Sequence, residues 1–214
     1  MKLTVRVLES DKIISERIGN ALIPQVRKFM EIRKNKLREQ LPSIIYKAIV
    51  SSPEYSSILG GGLRYQFGIP NPMQKLEGIL NIWVSNVLVT YTPPVVISGG
   101  RIKSGIIIEM IKSDYSDVLG TDYALVEDKR RGYSLPWLKW LLLDGSYTLV
   151  RNHQVILGSN PRSRTGLAVM RPSSDSWGVP RRFSGTMNDN WITRSLDLSQ
   201  NVINNFIIKV MQNG

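Results

Sequence analysis

The chain has no cysteine among its 214 residues. That excludes a disulfide framework and any thiolate metal site, and it fits synthesis in a reducing compartment. There is one histidine, His153, so a metal site would have to rely on carboxylates. No apolar run approaches the roughly 20 residues a membrane helix needs. The leucine run Leu141 to Leu143 stops at Asp144-Gly145, so no membrane partner is expected. No G-x-G-x-x-G fingerprint occurs. Gly60-Gly61-Gly62 is followed by no Lys-Ser or Lys-Thr at phosphate-loop spacing, so it reads as a turn or hinge. The N-terminus, M-K-L-T-V-R-V-L-E-S, is too short and too charged for a signal peptide. No internal repeat or low-complexity linker interrupts the sequence.

What is abundant is positive charge. Twenty-eight Lys and Arg against 17 Asp and Glu give a formal charge of +11 and a pI near 10.0. This favours polyanionic partners, nucleic acid among them, or an acidic protein surface. A hydrophobic fraction of 42% and a charged fraction of 21% are ordinary for a globular domain. The length is sufficient for a sizeable core without staples.

The pattern of apolar residues orders the chain. Leu3, Val5 and Val7 alternate as a strand. Ile14, Ile18, Ala21 and Leu22 follow helical spacing, and Pro24 is expected to break or kink that helix. Val26, Phe29, Met30, Leu37 and Leu41 stripe a second helix, whose other faces carry Arg27, Lys28, Arg33, Lys34, Lys36 and Arg38. Pro42 predicts another break before a third apolar face, and Ser51-Ser52-Pro53 ends it. Pro72 to Ser85 predicts a helix. Val87 to Tyr91 is strand-like and stops at Pro93-Pro94, with a resumption at Val95 to Ile97. Arg101 to Lys112 is an isoleucine-rich strand, continued by Tyr115 to Leu119 and by Asp122 to Glu127. Lys129 to Gly132 is a charged loop.

Four of the five tryptophans lie between Ser134 and Arg194, so a core is expected to condense there. Ser134 caps a short helix through Leu142, with Pro136 in its first turn. Tyr147 to Leu157 and Gly166 to Met170 form a hairpin. Asn188-Asp189 starts a closing helix, which Ser199 restarts. The fold class is α+β: a helical part (1–60) packed on a mixed, mostly antiparallel sheet (85–185), closed by a C-terminal helix (188–213), all in one domain.

Three constellations could carry binding. The basic helix, Arg27 to Arg38, reads either as a phosphate-backbone contact or as a solvated face. No aromatic interleaves it, so single-strand stacking is not suggested. Arg162, Arg164, Arg171, Arg181 and Arg182 would bind phosphate or acidic subunits, or are scattered surface charge. Trp177 and Trp191, beside loops, are expected to serve partly at an interface, with Pro180 near them. For enzymatic chemistry the sharpest candidate is Asp122 and Glu127 with Lys129, which resembles the carboxylate–lysine core of Mg²⁺-dependent nucleases. Catalysis by His153 has no nucleophile elbow to support it.

The residues L-P-W-L-K-W-L-L-L-D-G, R-S-R-T-G-L-A-V-M, W-G-V-P-R-R-F-S-G-T and N-W-I-T-R resemble a family of tailed-bacteriophage structural proteins. These are neck or tail-completion proteins, similar to the minor tail protein Z and head–tail joining families. The resemblance covers residues 120–195. It is carried by Trp137, Trp140, Gly145, Arg162, Arg164, Gly166, Met170, Trp177, Val179, Pro180, Gly185, Thr186, Asn190 and Trp191. It implies a non-enzymatic subunit of a ring between head and tail, six-fold or twelve-fold, without cofactor or metal. The implied partners are other copies of itself, neighbouring connector, portal and tail proteins, and genomic DNA in the channel. The implied location is the head–tail junction of a virion assembled in the host cytoplasm. A tail-terminator subunit is the alternative in the same class. A Mg²⁺-dependent nuclease or a DNA-binding protein is the alternative outside it.

Overall fold

The computed structural model describes residues 9–109, 114–128 and 132–213. The chain is α+β, and its described residues fall into two compact units, each assembled from separated segments. The first takes the described parts of Met1–Gln40, Val87–Glu109 and Asn205–Gly214; the second takes those of Leu41–Asn86 and Met110–Asn204. The predicted strand Leu3 to Val7 lies outside the described residues.

One helix, α1 (Asp11–Val50), replaces the expected series of three. Neither Pro24 nor Pro42 ends it. A helical proline leaves the carbonyl four residues earlier without its donor. Here those carbonyls belong to Asn20 and Arg38, both exposed, so water can satisfy them. The helix is held by burial instead. Leu37, Leu41, Ile45 and Ile49 recur every fourth residue and are fully buried. Each such side chain contributes roughly 1.5–3 kcal/mol.

In the first unit, β1 (Leu88–Ile97) and β2 (Arg101–Glu109) form an antiparallel ribbon. Pro93-Pro94 does not end β1. The register shifts between Thr92 and Val95, and Pro94 is buried while Pro93 stays outside. A bulge absorbs the residues that cannot donate to the ladder and keeps Val89, Tyr91 and Val96 on the same face. The turn of the ribbon passes against α1. A Cβ on Gly19 would stand 2.8 Å from the Gly100 carbonyl oxygen, and one on Gly100, where φ is +72°, 2.4 Å from that of Ser15. Only glycine permits both the approach and the turn. Helix α8 (Gln200–Asn213) contributes its C-terminal turns to this unit.

In the second unit, α2 (Pro53–Leu59) and α3 (Gly62–Phe67) flank the triple glycine. Neither was expected, because seven and six residues are too few to show a period. Helix α4 (Pro72–Ser85) has the predicted boundaries and buries Leu76, Ile79, Leu80 and Trp83. Tyr115 to Leu119 is not a strand: Asp114 Oδ1 accepts from Ser116 N at 3.1 Å and opens the short helix α5 (Ser116–Leu119). Asp122–Ala124 is a 3-10 turn rather than extended chain. Ser134 does not cap a helix. It sits in β4 (Tyr133–Leu135), paired with β3 (Val126–Asp128), and α6 (Trp137–Leu142) follows Pro136.

Tyr147 to Leu157 is broken at Asn152, whose φ is +54°. Its halves, β5 (Thr148–Val150) and β6 (His153–Leu157), take different partners. β6 pairs with β7 (Ala168–Pro172) in the predicted hairpin, and β5 with β8 (Trp177–Gly178). The expected mixed sheet is thus, among the described residues, four two-stranded antiparallel ladders. Helix α7 (Trp191–Leu198) is capped by Asn190, and Ser199 separates it from α8.

Candidate assembly surfaces

The tryptophan-rich stretch forms two aromatic clusters in the second unit. Phe67 lies at the centre of the first: its ring is 6.1 Å from Trp137, 6.3 Å from Trp140 and 5.9 Å from Trp177, the last edge-on at 87°. Trp140 and Trp177 close the group at 6.2 Å. Trp137 donates Nε1–H to the Tyr123 carbonyl at 3.0 Å. In the second cluster, Trp83 and Trp191 meet edge-to-face at 5.3 Å. Such pairs add about 0.5–1.5 kcal/mol beyond their area.

Trp191 is therefore not an interface residue. It is fully buried, and Nε1–H donates to Ser52 Oγ at 2.7 Å. The expectation rested on its place beside a loop. The loop is folded inward because Asn190, also fully buried, has partners on every polar atom. Asn190 Nδ2 donates to the Tyr115 hydroxyl at 2.8 Å and to the Thr186 carbonyl at 2.8 Å, while Oδ1 accepts from Ile192 N at 3.0 Å and Thr193 N at 3.3 Å. Burial raises the Tyr115 pKa, and the bond to Asn190 acts in the opposite sense. A Cβ on Gly185 would stand 2.5 Å from the Leu141 carbonyl oxygen and 2.6 Å from Asn190 Cβ. Trp137, Gly185, Asn190 and Trp191, which help carry the resemblance, are thus packing and hydrogen-bonding residues.

The arginines divide. Arg164 is exposed but engaged: it packs over Gly68 and lies 3.9 Å from Asp128 Oδ2. Arg162 is exposed, and its backbone N–H is held by Asn160 Oδ1 at 2.9 Å. Arg171, Arg181 and Arg182 are exposed, with the Arg182 guanidinium 4.5 Å from the Phe183 ring centre. Trp177 and Pro180 are half-buried. Trp177 Nε1 is buried without a hydrogen-bond partner. Arg194, which was not singled out, does more structural work than these. It lies 3.3 Å from buried Glu54 Oε1 and donates to the carbonyls of Phe183 and Ser184. Burial raises the Glu54 pKa; a backbone hydrogen bond and Arg194 lower it.

The basic helix is not one cationic stripe. At about 100° per residue, Arg27, Lys34 and Arg38 share a face, while Lys28 and Lys36 point elsewhere. Arg33 is corrected from a phosphate contact to a buried residue, 7% exposed, its guanidinium 3.3 Å above the Phe29 ring. Lys34 lies 5.6 Å from the Tyr91 ring, and the Tyr91 hydroxyl donates to Glu31 on the same helical face. An acid thus interrupts the cations.

Of the nuclease-like set, Lys129 lies outside the described residues, and Asp122 and Glu127 are exposed. Lys75 stands beside them, donating to the carbonyls of Asp122 at 2.9 Å and Leu125 at 2.6 Å. Burial lowers its pKa, and the two carboxylates raise it. Lys75 therefore pins the turn entering β3. Among the described residues, no three His, Asp or Glu side chains gather where they could hold a metal ion. His153 Nδ1 lies 2.9 Å from the Arg151 carbonyl oxygen.

The ribbon of the first unit is the least satisfied surface. Leu88, Val95, Ile97 and Ile107 are 40–52% exposed on its outer side. The register sets Val95 beside Lys103 and Ile97 beside Arg101, so an apolar row runs along a basic one. Among the described residues neither strand has a second neighbour. The outward N–H and C=O groups form a template for another strand. No helix is long and apolar enough to cross a membrane among the described residues. No protein-family model, curated protein or solved structure matches the chain.

Proposed function

We propose that the chain is a virion structural subunit of the tailed-bacteriophage neck, a connector or tail-completion protein that joins head to tail by associating with copies of itself and with neighbouring ring proteins. The observation that carries the assembly part of this reading is the β1–β2 ribbon. Its open edges and apolar-beside-basic outer side suit strand addition and packing by a neighbouring acidic subunit. Arg181, Arg182 and Arg162 supply further exposed cations, and Trp177 with Pro180 a half-buried aromatic shoulder. The resemblance of residues 120–195 supplies the identity of the assembly. Arg27, Lys34 and Arg38 are the cations for channel DNA or an acidic partner.

The test is antibody labelling of purified particles with gold, together with mass spectrometry of the virion. Label at the head–tail junction supports the reading. Label at the far end of free tails favours the tail terminator, and absence of the chain from particles refutes both.

A further inference from the structure

Helix α1 carries a second apolar row that is largely exposed among the described residues. Ile18, Leu22, Gln25, Phe29, Ile32 and Lys36 are spaced alternately by four and three residues, a mean period of 3.5. That is the spacing of a coiled-coil seam, which stays on one side of a helix meeting another helix. The four apolar members are 38–56% exposed. The row is distinct from the buried one through Met30 and Leu37, and lies about a third of a turn from it. A shallow depression open to solvent, lined by Gln25, Val26, Phe29 and Met30, lies beside the seam. Pro24 faces away from the seam and does not interrupt it.

The geometry points to a second copy of α1, running antiparallel, as the occupant. Charge decides the direction. A parallel in-register pair would place Lys36 on Lys36 and Asp11 on Asp11. Like charges oppose this at each of those positions. In the antiparallel pair that sets Phe29 opposite Ile18 of the second copy, Leu22 falls opposite Gln25. Lys36 then meets Asp11 at both ends, and Lys28 faces the small, neutral Ala21. The solvent-facing end charges, Asp11 and Lys36, are therefore complementary in one direction only; Arg33, which this register sets toward Lys12 of the second copy, is buried over Phe29. This pairing is two-fold and does not rest on the neck reading. A polar ring does not repeat a two-fold axis, so the pair is a state of the free subunit that ring assembly would displace.

The test uses the full chain in sedimentation-velocity ultracentrifugation across a concentration series. The parent is expected to move from the 24.2 kDa monomer to twice that mass. Leu22→Glu holds it monomeric, with circular dichroism confirming that the helix is retained. Asp11→Lys or Lys36→Asp alone breaks two symmetric contacts and raises the dissociation constant roughly five- to thirty-fold. The two changes together return it to within about two-fold of the parent. The absence of native cysteine allows a second reading. Mixed Asp11→Cys and Lys36→Cys chains should form a disulfide dimer on oxidation, while Lys36→Cys alone should not. A chain monomeric at about 100 μM, a larger oligomer indifferent to Leu22→Glu, no recovery in the double swap, or self-linking of Lys36→Cys each overturns the inference.

Discussion

Asn190→Ala tests how the tryptophan-rich stretch is held. The side chain is fully buried and does two separable things. Its Oδ1 caps α7 through the N–H groups of Ile192 and Thr193. Loss of such a cap costs about 1 kcal/mol. Its Nδ2 serves the Tyr115 hydroxyl and the carbonyls of Thr186 and Met187. Leaving the buried Tyr115 oxygen without that donor costs about 1–3 kcal/mol more. The expected total is roughly 2–4 kcal/mol, or a fall in Tm of roughly 4–16 °C for a chain of this length. Urea denaturation followed by tryptophan fluorescence and circular dichroism reads it directly. Asn190→Ser, which keeps an oxygen at the cap, should recover about 1 kcal/mol of the loss. Tyr115→Phe removes the hydroxyl that the alanine strands, so the double variant should be less destabilised than the sum of the singles. A loss under about 0.5 kcal/mol for Asn190→Ala, or additive singles, would refute the reasoning.

Three further outcomes follow from the same packing. Ser52→Ala removes the N-cap of α2 and the acceptor of Trp191 Nε1; it should cost roughly 2–4 kcal/mol by chemical denaturation. Pro24→Ala should stabilise the chain by about 1–2 kcal/mol, since the helix already runs through Pro24 and alanine favours it; a lower Tm would mean that the proline fits a local shape. Glu54 has a raised folded pKa, so the folded state binds its proton more tightly than the unfolded chain does. The penalty for burying its charge is complete above the folded pKa and is relieved as pH falls through it toward 4.5. The pH profiles of the parent and of Glu54→Gln should therefore differ in slope within that window and run parallel well above it, as thermal melts across pH would show.

Some of this was legible in the sequence and some was not, for physical reasons. Helix α4 announced itself through a proline in its first turn and an apolar face at Leu76, Ile79, Leu80 and Trp83. The β6–β7 hairpin followed from alternation and its glycine-flanked loop. The continuity of α1 was hidden, because the penalty for proline is local while the burial of Leu37 through Ile49 that outweighs it is tertiary. The same holds at Pro93-Pro94, where a bulge retained the strand. Trp191 was misplaced because its partner, Trp83, lies more than a hundred residues earlier. Arg33 was misread because a charge run does not reveal which member stacks on Phe29. The seam from Ile18 to Lys36 was in plain sequence, but the two expected proline breaks cut the helix that displays it.

The central claim is assembly at the head–tail joint. The most direct measurement is negative-stain microscopy of lysates from a phage lacking this gene. The account predicts filled heads accumulating beside separate, complete tails, with joining restored by the added protein. Missing or overlong tails would move the protein to tail termination. Normal joined particles would contradict the account.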